Sequence, residues 1–468
     1  MHPPARPPLA AIACGGTGGH LFPGLAVADV LEREGVTTQL LISQKDVDDQ
    51  AVRGLPSEQV IRLPAVGLER GRWLAFLRGL RASLRVTRQL FREHPPAAVL
   101  AMGGFTSLAP ILAGRHRGAV TFLHEANAIP GRANRWLAHV VTEALVHFPG
   151  AAERLWHQQI RVVGMPVRPQ FQPGDATAAR LALGLRPSDP VLLITGGSQG
   201  AVALNDLALR TLPALRLLHP RLQVLHLTGA RDFDRVRQGY ASQAAAAIVR
   251  PFLTEMELAF DAASVALARA GGSFLAEAAA MRVPCLLVPL PTAVDNHQYF
   301  NARALVDAGA ARLLTQAEAT PEKVLWELRA LLEDADLRAR LQAGLAAWHV
   351  PDATEQVAGA ILGALGLKQS RTPLEEPGSG RARLQPSRGP SDLDPARLEP
   401  RPAGFTAAEQ VRRELGTLPE LEGDREVEPA AAGSTAVPGP QLQSALRRPS
   451  SSPLVPVGTH APTSGPPA

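Results

Sequence analysis

The chain alternates short runs of Val, Ile, Leu and Ala with longer stretches of helical periodicity. Leu9–Cys14, Gln39–Ile42, Ala98–Ala101, Thr121–His124 and Ala144–His147 read as buried strands. After Pro166 the pattern restarts with Val191–Thr195, Gln223–Leu227, Ser264–Ala268, Cys285–Val288 and Ala311–Leu314. Strands without polar alternation, separated by helix-length segments, predict parallel sheets covered on both faces. The break at Gly164-Met165-Pro166-Val167 divides the pattern into halves of similar length, and each half opens with a strand that runs into a glycine-rich loop. The expectation is an α/β protein of two Rossmann-like doubly wound domains facing a central cleft. We place the first at 1–166, the second at 167–345, and a C-terminal helix at 346–368 returning to the first. Beyond Lys368 the periodicity stops. About 17 of the 42 prolines fall there, and roughly 11 arginines nearly cancel 12 acids. Residues 369–468 read as a disordered tail.

The remaining composition narrows the class. Of 468 residues, 46% are apolar and 19% charged, enough for sizeable cores. Lys45, Lys323 and Lys368 are the only lysines among 48 basic residues, so the net charge of +5 is carried by arginine. Two cysteines, Cys14 and Cys285, exclude a disulfide scaffold, suit a reducing compartment, and read as small core residues. No run reaches the roughly 18 apolar residues of a membrane span, and the first residues lack a signal-peptide core. A soluble or peripheral cytoplasmic protein follows.

The glycine loops carry the candidate chemistry. Gly15-Gly16-Thr17-Gly18-Gly19-His20 follows the first strand, and Gly196-Gly197-Ser198-Gln199-Gly200 opens the second half. Such loops at helix N-termini present N–H groups to phosphate oxygens, although a single one is equally well a tight strand–helix turn. Neither contains the Gly-Lys-Ser/Thr of a P-loop. A dinucleotide fold wants an acid after its second strand, and Ile42-Ser43-Gln44-Lys45 supplies none. A third turn, Arg269-Ala270-Gly271-Gly272-Ser273-Phe274-Leu275-Ala276-Glu277, sets a carboxylate in the first turns of a helix. There it either complements the helix dipole or accepts hydrogen bonds from a ribose diol.

These segments occur in one order with Met102-Gly103-Gly104-Phe105, His124-Glu125-Ala126-Asn127, Gly164-Met165-Pro166-Val167-Arg168 and Asp295-Asn296-His297-Gln298-Tyr299-Phe300-Asn301-Ala302. Over about residues 9–365 the chain resembles the MurG family, the peptidoglycan transferases of glycosyltransferase family 28. Phe105, Ala126, Met165, Ala270 and Asn296-His297 stand where that family usually has Tyr, Gln, Asn, Ser and Arg-Gln. Those departures fall chiefly on the acceptor side. The tail has no counterpart in the family.

The resemblance implies the GT-B fold and an inverting hexosyltransferase. It would move N-acetylglucosamine from UDP-GlcNAc to the 4-hydroxyl of the muramoyl sugar in lipid I, giving lipid II on the cytoplasmic face of the bacterial inner membrane. By motif match, the Leu253 backbone reads uracil and Glu277 holds the ribose. Ser198, Gly272, Ser273, Phe274, Leu275 and Ala276 contact phosphate and nucleoside. Arg168 approaches phosphate or sugar, and Gln298 the sugar. Thr17, Gly18, Gly19 and Asn127 close from the first domain. His20 is the candidate base, since a helix N-terminus keeps an imidazole neutral; Glu125 is the alternative. No cofactor is expected, with a divalent cation only as an activator without protein ligands. Asp46-Val47-Asp48 and Asp232-Phe233-Asp234 read as solvated acids rather than metal sites.

Expected partners are UDP-GlcNAc, lipid I and an anionic membrane surface, not nucleic acid, with the tail left as a docking segment for a cell-wall or division complex. Arg78, Arg81, Arg85, Arg88 and Arg92 form one helical stripe over 73–92, with Trp73, Phe76, Leu77, Leu80, Leu84 and Phe91 on its apolar side. Such a helix either lies on anionic lipid or simply covers the sheet. Three rival functions remain open: another GT-B transferase, a UDP-sugar epimerase, and a non-catalytic UDP-sugar-binding subunit.

Overall fold

The computed structural model describes residues 7–16, 18–44, 52, 55–67, 72–243 and 247–368. The tail 369–468, Thr17 and the Asp46-Val47-Asp48 triplet lie outside the described residues. The described chain forms two lobes, each a parallel sheet flanked by helices.

The first sheet comprises β1 (Leu9–Ala13), β2 (Thr37–Ile42), β3 (Val60–Arg62), β4 (Ala98–Ala101), β5 (Val120–Glu125), β6 (Glu143–Val146) and β7 (Ile160–Val162). Its order is β3-β2-β1-β4-β5-β6-β7, with every described pair parallel. Register sets Ile12 of β1 beside Leu40 of β2 and Leu100 of β4, all three completely buried or nearly so. The second sheet comprises β8 (Val191–Thr195), β9 (Gln223–Leu227), β10 (Ala247–Arg250), β11 (Val265–Ala268), β12 (Cys285–Leu287) and β13 (Arg312–Leu313). Its order, β10-β9-β8-β11-β12-β13, repeats the first. In both sheets the connection changes direction beside the first strand, between β1 and β4 and between β8 and β11. Ligands of open α/β sheets bind beyond the strand ends at these points. Cys14 and Cys285 are buried in these cores, and burial pushes the Cys285 thiol up to about 12.

The chain crosses between lobes twice, and the crossings touch. Gly164 has φ +81°, and a Cβ there would come within 2.6 Å of Val350 Cβ. His124 Nε2 lies 2.9 Å from the Gly164 carbonyl and therefore donates to it, and Thr354 Oγ1 donates to the Val167 carbonyl at 3.1 Å. Helix Ala353–Ala364 then packs on helix Gly18–Arg33 and sends Val357, Ala358, Ile361 and Leu362 into the first lobe's core. Beside this junction His147 is buried among Phe148 and Trp348. Neither of its ring nitrogens meets a hydrogen-bonding partner.

Candidate active site

Ser198 and the turn before Glu277, expected on the donor side, lie at the β8–β11 switch. The Gly196–Gly200 loop leaves β8 against the turn after β9, so close that a Cβ on Gly200 (φ +70°) would lie 2.0 Å from the Thr228 carbonyl. From β11 the chain runs through Arg269 and Ala270 into helix Gly272–Ala280, which carries Ser273, Phe274, Leu275, Ala276 and Glu277 in its first two turns. Arg269 is buried and donates to the Val288 and Pro289 carbonyls and to Gln316 Oε1, fixing the ends of β11 and β12 together. Burial lowers its guanidinium to about 10. Glu277 is mostly buried in the cleft, and burial pushes its carboxyl up to about 7, with Arg168 opposing and Glu257 adding to the rise. The Arg168 guanidinium stacks over the Phe22 ring at 4.6 Å and the Phe171 ring at 5.0 Å, and its buried Nε has no protein acceptor. Glu257 likewise buries a carboxylate oxygen without a donor. Leu253 follows β10 in a loop packed on the core. Gln298 accepts from the Leu290 N–H at 3.0 Å.

The first lobe supplies the facing wall. Gly18 and Gly19 begin helix Gly18–Arg33, and His20 is its third residue. A Cβ on Gly18 would lie 3.9 Å from Ser198 Cβ, so the two glycine loops meet across the cleft. Ser273 Oγ donates to the Gly19 carbonyl at 3.0 Å, a second tie between lobes. His20 packs under Gly103 and Gly104, whose φ values of +113° and +74° bring bare backbone onto the imidazole. A Cβ on Gly103 would meet His20 Nε2 at 2.9 Å. The space here, about 180 Å³, is lined by Gly15, Gly16, His20, Ser43, Gly104 and Thr106 among others.

The two base candidates differ sharply in surroundings. Glu125 is buried and accepts four hydrogen bonds: from Asn127 N–H and Nδ2 on one oxygen, and from Gly131 N–H and Asn134 Nδ2 on the other, all 2.8–3.1 Å. Burial raises its carboxyl while these donors oppose the rise. A carboxylate so occupied organises its loop and has little room for a substrate hydroxyl. Asn127, expected at the sugar, spends its amide on Glu125 and its oxygen on Asn301. His20 instead lines an open pocket.

Some residues that build the site carry no local sequence signal. Asn134 supports Glu125 and the His124 carbonyl, while Thr106 donates to the Gly15 carbonyl at 2.8 Å. Asp232 corrects the sequence expectation. It is buried, accepts from Asn205 at 2.7 Å and from Arg235 at 2.6 and 2.7 Å, and is held below the usual carboxylate range chiefly by Arg235. It is a buried carboxylate paired with a surface arginine that stays half exposed; Asp234 is exposed. Among the described residues no His, Cys, Asp and Glu cluster suits a metal.

Helix Trp73–Glu93 turns Phe76, Gly79, Ser83, Thr87 and Phe91 inward and leaves Arg78, Arg81, Arg85, Arg88 and Arg92 exposed. Small residues make the seat: a Cβ at Gly79 would strike Val66 at 2.9 Å. Leu77, Leu80 and Leu84 are half-buried, whereas Trp73 stays 59% exposed at the helix start. Nearby, Phe76, Phe105, Leu108, Ala133 and Trp136 line an apolar hollow of about 370 Å³ flanked by Arg132 and Arg135. Trp136 is 66% exposed.

Residues 10–146 match the glycosyltransferase family 28 N-terminal domain, and residues 191–357 match the glycosyltransferase family 28 C-terminal domain. The chain belongs to glycosyltransferase family 28. It is 39% identical over 361 residues, 75% of this chain and 97% of the relative, to a family 28 protein of Verminephrobacter eiseniae. It is 35% identical over 357 residues, 74% and 90% of the two chains, to one of Anaeromyxobacter dehalogenans. Both relatives are named UDP-N-acetylglucosamine–N-acetylmuramyl-(pentapeptide) pyrophosphoryl-undecaprenol N-acetylglucosamine transferase. Among solved structures, Acinetobacter baumannii MurG matches with TM-score 0.59 and 26% identity, covering 76% of this chain and 99% of that one. A UDP-N-acetylglucosamine 2-epimerase at 14% identity and TM-score 0.56, covering 78% and 98%, shares the fold. Two parallel-sheet lobes of the GT-B type and a glycosyltransferase activity are thus established for this family 28 chain.

Proposed function

We propose that this chain transfers N-acetylglucosamine from UDP-N-acetylglucosamine to the 4-hydroxyl of the muramoyl sugar of lipid I, with inversion, to give lipid II for peptidoglycan synthesis. The observation that carries the proposal is the meeting of the two glycine loops, Gly18 against Ser198. It sets a donor pocket holding Glu277 and Arg168 opposite an acceptor pocket floored by His20. In that arrangement Glu277 accepts from the ribose diol, and the N-termini of helices Val202–Leu218 and Gly272–Ala280, with Arg168, receive the diphosphate. His20 takes the proton as the acceptor oxygen attacks the anomeric carbon. The bond from that carbon to UDP breaks, UDP leaves with the electron pair, and a β-1,4 bond forms.

The lipid acceptor also requires a membrane-facing surface. The exposed Trp73 and Trp136, the apolar hollow that Trp136 lines and the five-arginine stripe suit peripheral binding at the cytoplasmic face of an anionic inner membrane. No described helix is long and apolar enough to cross a bilayer. Purified chain should release UDP from UDP-N-acetylglucosamine only when a lipid I analogue is present. UDP release independent of acceptor, or conversion of the donor sugar without UDP release, would contradict the proposal.

A further inference from the structure

Asn301 lies on helix His297–Asp307, in the second lobe, and its side chain is completely buried. Its oxygen accepts from the Ala128 N–H at 2.8 Å, and Ala128 belongs to the loop after β5 in the first lobe. Its NH₂ donates to Asn127 Oδ1 at 3.0 Å and to the Ala270 carbonyl at 3.1 Å. Asn127 in turn donates to Glu125, which also gathers Gly131 and Asn134. One continuous relay therefore runs Glu125–Asn127–Asn301–Ala270, from the wall beside His20 to the turn that launches helix Gly272–Ala280 and Glu277. Next to it, a Cβ on Gly272 would lie 2.4 Å from the Ala126 carbonyl, so the two loops touch backbone to backbone.

A side chain that uses its acceptor on one lobe and its donors on both fixes their separation and register. Deleting it leaves buried polar groups on both sides without partners. Resting on the transferase reading above, we propose that Asn301 is a positioning residue of the reaction: it registers the acceptor loop 126–128 against the donor turn 270–272, and so sets the approach of the acceptor hydroxyl to the anomeric carbon. Asn301 touches neither substrate. Its effect belongs to the joining of the two sites rather than to either alone.

The test compares Asn301→Leu and Asn301→Asp with the parent in UDP release on a water-soluble lipid I analogue, alongside UDP binding by calorimetry. Misplacement of about 1 Å costs on the order of 10²-fold in rate. Both variants should therefore lose roughly that much kcat at pH 8 while UDP affinity stays within about threefold. The aspartate adds a second readout. Ionised, it has no hydrogen for Asn127 or Ala270. Burial and the nearby Glu125 carboxylate, the charged group of that relay, push its pKa up, and its protonated form regains one donor. Its kcat relative to the parent should climb between pH 8 and pH 6, whereas the leucine variant stays low throughout. Parent-like kcat in both variants would overturn the inference, as would a loss expressed in UDP affinity, or identical pH behaviour of the two. A parent that releases no UDP with acceptor would overturn the transferase reading itself, and that outcome is distinguishable because it appears before any substitution.

Discussion

If Glu277 holds the ribose as proposed, its raised carboxyl makes donor binding depend on pH. In the free protein burial pushes it up to about 7, and the like charge of Glu257 adds to the rise against the opposing pull of Arg168. Holding both ribose hydroxyls needs the ionised form, which accepts two hydrogen bonds. Ionisation is thus required by the ligand and only half complete near neutrality. The sign follows: affinity is full well above pH 7 and is lost as pH falls through it. At pH 8 about ten-elevenths of the sites are ionised and at pH 6 about one-eleventh, a tenfold change in UDP affinity worth about 1.4 kcal/mol. Titration calorimetry of UDP over pH 6–8 measures this directly. The Glu277→Gln variant serves as reference, because titration of the UDP phosphate near pH 6 is common to both. The ratio of parent to variant affinity should fall about tenfold from pH 8 to pH 6. Proton release on binding near pH 6.5 should show as a dependence on buffer ionisation heat. Glu257→Gln removes the like charge and should move the midpoint to lower pH. A parent-to-variant ratio flat across this range would refute the ribose assignment, and Glu277 would be a structural acid.

Three further outcomes are expected. His20→Ala should lower turnover by roughly 10²–10⁴-fold with UDP binding retained; near-normal turnover would remove His20 from the proton transfer. His147→Phe should stabilise the fold by about 1–3 kcal/mol at pH 7.5, since both buried ring nitrogens lack partners. That gain should grow by about 1.4 kcal/mol at pH 5.5 in urea titrations. The reason is that burial, with smaller contributions from His124 and His349, lowers His147 to about 3 from an unfolded value near 6.5, so its proton binds only on unfolding in this window; an unchanged difference between the two pH values would contradict it. Replacing Arg78, Arg81, Arg85 and Arg88 with Gln should remove about 4 kcal/mol, or roughly 10³-fold, of binding to anionic vesicles at about 1 kcal/mol per arginine. Activity on a soluble acceptor should persist, and unchanged vesicle binding would make the stripe an ordinary solvated face.

Most of the strands legible in the sequence lie inside the sheets, where continuous apolar runs are unavoidable. Val60–Arg62, Ile160–Val162 and Ala247–Arg250, three of the four sheet edges, escape, while the fourth, Arg312–Leu313, is legible within Ala311–Leu314. An edge strand is covered incompletely, and arginines such as Arg62, Arg161 and Arg250 break its apolar run. The glycine loops were equally legible, since positive φ and close approach demand glycine at Gly103, Gly104 and Gly200. The sequence did not disclose what each polar side chain meets. Glu125 was visible as an acid in a motif, but not as a group saturated by four donors. Asn301 stood in a quoted motif without a role, because its partner Ala128 is 173 residues away. Asp232 reads as solvated because its distant partner Asn205, 27 residues earlier, leaves no local mark; Arg235 beside it looks like an ordinary surface pair.

A single inverting transfer to the muramoyl 4-hydroxyl can be read by nuclear magnetic resonance of the product made from UDP-N-acetylglucosamine labelled with carbon-13 at C1 and a lipid I analogue. One new β-anomeric signal, coupled through the glycosidic oxygen to C4 of the muramoyl sugar, should appear in step with free UDP. An α-linked product, attachment at another hydroxyl, or a labelled sugar that is epimerised and still bound to UDP would contradict it.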